Sequence, residues 1–198
     1  MLLYVMRHGE TTWNVEKRLQ GKSNIPLNEN GIELAKITAE AIKDFKIDEI
    51  YSSPLNRAVE TANIINEYHN CKITIDPRLE EMGFGIYEGL ASGKIPADFK
   101  AFFKDPENYV PAPKGESFES LISRARDFID TVVIPKSREL EAMMIVAHGA
   151  MNNSIALNLL HRELKDFWEG IFPANCSISI YDINENDFKL VEYAKKFY

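Results

Sequence analysis

Cysteine is scarce in this sequence, and its scarcity excludes several classes at once. The two residues present, Cys71 and Cys176, lie far apart, so they build neither a disulfide framework nor a CxxC or zinc spacing. Both read as small buried hydrophobes of a reducing compartment. Neither opens a cysteine-phosphatase loop, because Pro77 and Asp182 stand where the required arginine would be, six positions on. Long apolar runs are missing too. None approaches the roughly 20 residues that span a bilayer, and residues 1–6 run into Arg7 too early to form the apolar core of a leader. The expectation is a cytoplasmic protein with no membrane contact. Blocks of Lys or Arg are equally absent and the formal net charge is -7, which disfavours a nucleic-acid partner. An anionic ligand would need a local cluster of cations to offset that charge.

The glycine patterns exclude more than they offer. Gly83-Phe84-Gly85 followed by Gly89 misses the dinucleotide fingerprint by one residue and comes late in the chain. Gly89-Leu90-Ala91-Ser92-Gly93-Lys94 is one residue short of a P-loop and continues with Ile95. No cofactor is implied by either.

What the 198 residues do contain, with 45% hydrophobic, is enough apolar material for one sizeable core. Short β-favouring apolar runs predict strands over residues 2–6, 49–52, 72–76, 143–147, 177–183 and 188–193, the last two flanking a hairpin turn at 184–187. Helical periodicity is expected from 28 to about 42, over 97–104, over 117–133 and over 151–160. A further helix is expected to about 68, with Ser53 as N-cap and Pro54 at the first helical position. Alternating strands and helices predict a three-layer α/β sandwich whose sheet is mostly parallel with an antiparallel edge. The whole chain, 1–198, reads as one domain with a small lid at about 90–115.

In such sheets ligands bind beyond the carboxyl ends of the strands, and three strand ends carry unusual polar residues. Arg7-His8-Gly9-Glu10-Thr11 follows the first strand. Ser52-Ser53-Pro54-Leu55-Asn56-Arg57 closes the second, and His148-Gly149 follows the strongest buried strand while opening a helix. That helix start has free N–H groups suited to an anion. Two histidines and two arginines would converge there. Arginine forks match phosphate oxygens, and a neutral imidazole can attack phosphorus without repulsion from a dianion. A poor alkoxide leaving group needs a proton, for which Glu81 in the glycine-bearing loop after the third strand is the candidate. Blander readings exist for each. Arg57 could pair with Glu60 one turn along its helix, and Arg124 and Arg126 suit Glu116 or Glu119. His69 and His161 suit helix ends. Phe99, Phe102, Phe103, Tyr109, Phe118, Trp168 and Phe172 could line a pocket, although core packing is the safer assumption.

These residues carry a resemblance. Arg7-His8-Gly9-Glu10-Thr11 with Trp13-Asn14 is similar to the signature of the histidine phosphatase superfamily, the phosphoglycerate mutase-like proteins. The similarity continues through Ser52-Ser53-Pro54-Leu55-Asn56-Arg57-Ala58 with Glu60-Thr61-Ala62, Glu81 with Phe84-Gly85 and Glu88-Gly89, Gly115-Glu116-Ser117, Val146-Ala147-His148-Gly149 and Asn175-Cys176-Ser177-Ile178. The resemblance implies a phosphoglycerate mutase-like fold, a phosphorylated nucleophile at His8 and an acid at Glu81. Arg7, Arg57 and His148 would hold the phosphoryl oxygens, with Asn14, Gln20, Gly21 and Gly149 as further phosphate or substrate contacts. It also implies no metal and no cofactor. The expected partner is a small phosphorylated metabolite, hydrolysed by a monomer or homodimer. Two alternatives stand beside hydrolysis: phosphoglycerate mutase chemistry on the same phosphohistidine, and an inactive phospho-ligand sensor. Few cations follow the Glu81 loop, in residues 86–93, which looks like the phosphatase branch.

Overall fold

A computed structural model describes residues 1–169, 172–184 and 187–198. The chain begins with strand β1 (Leu2–Arg7), a four-residue helix α1 (Thr12–Val15) and helix α2 (Glu29–Ala41), then strand β2 (Glu49–Ser52) and helix α3 (Asn56–Asn66). Strand β3 (Lys72–Ile75) leads through several 3-10 turns to α4 (Ala101–Lys104) and α5 (Phe118–Phe128). A π turn (Ile129–Val133) joins α5 to α6 (Ile134–Lys136). The chain closes with β4 (Ala142–Ala147), α7 (Gly149–Leu159), β5 (Ile178–Asn184) and β6 (Asp187–Lys195).

Among the described residues the sheet runs β3-β2-β4-β1-β5-β6, parallel through its first four strands and antiparallel at β5 and β6. This is the expected sandwich. β4 is buried at every residue, as a central parallel strand must be, and separate apolar clusters cover the two faces. Ala35 and Ala39 of α2 with Ala58, Ala62 and Ile65 of α3 pack on one side. Leu121, Ala125 and Phe128 of α5 with Met151 and Ile155 of α7 pack on the other. The hairpin turn lies partly outside the described residues, at 185 and 186.

Register places the site. Arg7 sits opposite Ala147 across the β1–β4 ladder, so His8 and His148 leave the sheet side by side. Ser52 sits opposite Val146, which puts Ser53 beside His148.

Three expectations need correction. α3 starts at Asn56 with Leu55 as an N-cap that makes no side-chain bond. Ser53 ends the strand instead: its N–H continues the sheet ladder to the Val146 carbonyl at 3.1 Å, and its Oγ accepts the Leu55 N–H at 3.3 Å one step ahead of the helix. α3 also stops at Asn66, where Asn70 turns into the left-handed region at φ 48°. Conversely, the helix expected to end at 133 continues to Lys136, because the wide π turn admits Pro135 without the usual helical break. The segment 90–115 forms short 3-10 and α turns and presents Phe102 and Phe103 to the cleft described below.

Candidate active site

His8 is buried at 3% exposure and continues the β1 ladder, its N–H donating to the Ala147 carbonyl at 3.0 Å. Its Nδ1 lies 2.6 Å from the carbonyl oxygen of Gly9. A carbonyl only accepts, so Nδ1 carries the proton and Nε2 keeps its lone pair. Burial, then the Arg57 and Arg7 charges, push the His8 pKa well below its ordinary 6.5, against the pull of the Gly9 bond. A neutral imidazole with a defined lone pair is a nucleophile. The loop bearing it is fixed from two sides. The Gly9 N–H donates to Thr61 Oγ1 at 2.9 Å, and Asn175 Nδ2 donates to the carbonyls of His8 and Gly9.

The His148 ring centroid is 5.1 Å from that of His8. His148 is fully buried, and its pKa is also driven well below 6.5 by desolvation, followed by Arg57, His8, Arg7 and Arg124. Its Nε2 lies 2.7 Å from Ser53 Oγ, while Nδ1 has no hydrogen-bond partner among the described residues.

Both arginines sit beside these rings. Arg57, 0% exposed, donates from its two Nη groups to the carbonyls of Ser23 (2.7 Å) and Gly21 (2.8 Å). Desolvation, partly offset by Glu81, lowers its pKa to about 10, so it stays charged near neutrality. It forms no pair with Glu60, whose carboxylate accepts the Leu27 N–H. Arg7 donates to the Pro173 carbonyl at 2.7 Å and lies over the Phe172 ring at 5.0 Å. In both arginines Nε is buried without a partner among the described residues. The loop that anchors Arg57 is itself held by Glu88, which accepts from the Lys22 N–H (3.0 Å), Ser23 Oγ (2.6 Å) and the Phe84 N–H (3.1 Å). Gly21 lies at φ 54°, and a Cβ there would stand 2.2 Å from a Glu88 oxygen.

Glu81 faces the same cleft. Its carboxylate accepts from its neighbour Met82 at 2.9 Å and from the Ala150 and Met151 N–H groups at 3.2 Å each. The N-terminus of α7, expected to be free for an anion, is therefore occupied in part by this side chain. Carboxylate and helix dipole complement each other there. Gly149 makes room for the neighbouring ring rather than for the carboxylate: a Cβ there would lie 2.9 Å from Phe172 Cζ but 3.7 Å from Glu81 Oε2.

The cleft above His8 has Leu19, Phe84, Phe102, Phe103, Trp168 and Phe172 as its apolar wall. Arg7, His8, Asn14, Gln20, Gly21, Arg57 and Glu81 also face it, whereas His148, beside His8, and Gly149 are not part of the lining. Two differ in detail. Asn14 spends its Oδ1 on the N–H and hydroxyl of Thr11 in a capping box, leaving only its amide nitrogen for a ligand. Gly21 spends its carbonyl on Arg57, leaving only its N–H for a ligand. Sequence reasoning missed the work of Ser53, Thr61, Glu88 and Asn175, all inside recognisable motifs whose contacts are long-range.

The model of the histidine phosphatase superfamily (branch 1) matches residues 3–196. A probable phosphoglycerate mutase of Erwinia tasmaniensis is 32% identical over 190 residues, covering 91% of this chain and 84% of the relative. A putative phosphoserine phosphatase of Hydrogenobacter thermophilus is 34% identical over 170 residues, 84% and 82%. Among solved structures, YhfR of Bacillus stearothermophilus superposes with TM-score 0.90 at 30% identity, over 98% of this chain and 96% of that one.

Proposed function

The chain belongs to the histidine phosphatase superfamily, and from that premise we propose that it hydrolyses small phosphate monoesters through a phosphohistidine at His8, without a metal. One observation carries this reading. Three buried donors, Arg7 Nε, Arg57 Nε and His148 Nδ1, lie around His8 with no partner among the described residues. A buried donor left unsatisfied costs about 1–3 kcal/mol, and three in one place are recovered together by the oxygens of a phosphoryl group.

The chemistry follows from the site. The transferring group lies between His8 Nε2 and Glu81, its oxygens on the two guanidiniums and His148. Nε2 attacks phosphorus, the ester P–O bond breaks, and the departing oxygen takes the proton of Glu81. In the second half water attacks phosphorus, the N–P bond breaks with its electron pair returning to Nε2, and the Glu81 carboxylate takes the proton of water. The fixed donors stabilise the charge that gathers on the equatorial oxygens in both steps.

The relatives include proteins named as mutases and as phosphatases, so mutase chemistry is the second reading. A mutase must hold a second anionic arm. Beyond Arg7 and Arg57 the one further cation lining the cleft, among the described residues, is Arg18, which is exposed and already bonded to Glu16 and to the Gly89 carbonyl. The aromatic wall supports hydrolysis of an ester with no second charge. Chelator-treated protein should release phosphate from several monoesters and fail to convert 3-phosphoglycerate to 2-phosphoglycerate. Substrate should label the wild type with acid-labile phosphate, and His8→Ala should abolish that label. Equal labelling of the variant, or mutase turnover faster than release, would overturn the proposal.

A further inference from the structure

Arg124 on α5 does not line the cleft, yet all its donors are spent on the loop that carries Glu81 and on Glu116, which holds the same loop. A guanidinium has five N–H groups in a rigid plane. Nε donates to Glu116 Oε1 at 2.8 Å and Nη2 to Glu116 Oε2 at 2.9 Å. The remaining three go to carbonyls of the segment 78–81. Nη1 donates to Arg78 at 2.7 Å and Glu80 at 2.6 Å, and Nη2 to Glu81 itself at 3.1 Å. Glu116 fastens the other end of that loop. Its carboxylate accepts the Gly83 N–H at 3.2 Å, and its own N–H donates to the Gly83 carbonyl at 2.8 Å. The pair is mostly buried, with side-chain exposures of 17% and 11%.

A surface ion pair would need none of this. Three carbonyls converging on one side chain are not satisfied by sheet or helix, and a lysine could not reach all of them and the carboxylate from one ammonium. The backbone of residues 78–83 is thereby fixed at both sides of the acid. Catalytic proton transfer tolerates little displacement: a shift on the order of 1 Å removes much of the benefit of a positioned group.

We propose that Arg124, clamped by Glu116, is the positioning residue for Glu81 and thereby sets how well the enzyme handles esters with poor leaving groups. This rests on the reading of Glu81 as proton donor. It goes beyond that reading in assigning part of the leaving-group tolerance to a side chain outside the cleft. Phosphoryl binding is a separate matter, carried by Arg7, Arg57 and His148, none of which Arg124 touches.

The test compares two esters of similar bulk, 4-nitrophenyl phosphate and 4-nitrobenzyl phosphate, whose leaving groups are a stable phenolate and a basic alkoxide. Arg124→Lys is the informative variant, because it keeps the positive charge near His148 and removes only the planar fork. Its kcat on the nitrobenzyl ester should fall about tenfold further than on the nitrophenyl ester, a fraction of what a general acid supplies. Inhibition by orthovanadate should stay near wild type. In Glu81→Gln the same discrimination should be larger, and adding Arg124→Lys to it should cost nothing more on the nitrobenzyl ester. Should Arg124→Lys not fold, Glu116→Gln, which loosens the clamp while leaving the guanidinium, must show the same preference at smaller size. Equal losses on both esters, or losses that add fully to those of Glu81→Gln, overturn the proposal. A Glu81→Gln variant with no leaving-group preference would instead remove the proton-donor reading beneath it.

Discussion

Ser53 Oγ and His148 Nε2 are 2.7 Å apart at a point where both residues are wholly buried. The hydroxyl already accepts the Leu55 N–H at 3.3 Å, and its own proton has no other acceptor among the described residues. It therefore donates to Nε2, which leaves the His148 proton on Nδ1. That nitrogen is the unpartnered one. A serine placed by strand register thus fixes the second histidine as a donor on the side where it still lacks a partner.

Ser53→Ala should release this tautomer. Nitrogen NMR of ring-labelled protein should show a pyrrole-type Nδ1 on His148 in the wild type and a mixture in the variant. The variant's kcat/KM should fall about tenfold to a hundredfold, the range for losing a partner that orients a functional histidine. A pyridine-type Nδ1 in the wild type would sink the assignment.

The histidines also make stability depend on pH. Unfolded, each imidazole protonates near 6.5; folded, burial and the two guanidiniums hold both neutral well below that value. Between those limits the unfolded chain binds more protons, so stability falls as the pH drops through 6.5. The slope is up to about 1.4 kcal/mol per pH unit for each histidine. Urea unfolding at pH 7.5 and 5.5 should show this loss in the wild type and about half of it in His8→Gln. An undiminished loss in the variant would mean that His8 is not held neutral by the fold.

The strands were legible because buried apolar runs have a period and a length, and the cleft was legible because its main groups sit one or two residues beyond strand ends. His8, Arg7 and His148 needed only that rule. What stayed hidden depends on pairings far apart in sequence. Pro54 mimics a helix start, but the ladder from Ser53 to Val146 wins and moves the helix to Asn56. Ser53 meets His148 across 95 positions, and Glu81 reaches the start of α7 across 69. No local pattern encodes a carboxylate that spends the very N–H groups expected to bind the substrate.

Gly21 tests the outer support of the anion site. An alanine there would be strained at φ 54° and would press on Glu88, displacing the carbonyl that holds Arg57. Gly21→Ala should raise KM for all phosphate esters about tenfold or more, an effect of misplacing one charge-assisted contact. Leaving-group preference should not change, because Glu81 hangs from a different loop. An unchanged KM would show that Arg57 does not depend on this carbonyl.

Arg57 itself divides its work between two fixed bonds and the donors they leave over. One N–H of each Nη goes to the Gly21 and Ser23 carbonyls, and Nε is the nitrogen with no partner at all among the described residues. Lysine keeps a charge but has no planar fork, and its single ammonium cannot hold two carbonyls and also reach an oxyanion. Arg57→Lys should therefore lose orthovanadate affinity by about tenfold to a hundredfold, the worth of one hydrogen bond to a charged group at about 1.5–3 kcal/mol. Calorimetric titration of both proteins with orthovanadate measures this directly. The far-ultraviolet circular dichroism spectrum, which reports the fold rather than the site, should not change. Retained affinity in the lysine variant would mean that charge alone, and not the directed Nε–H, holds the oxyanion.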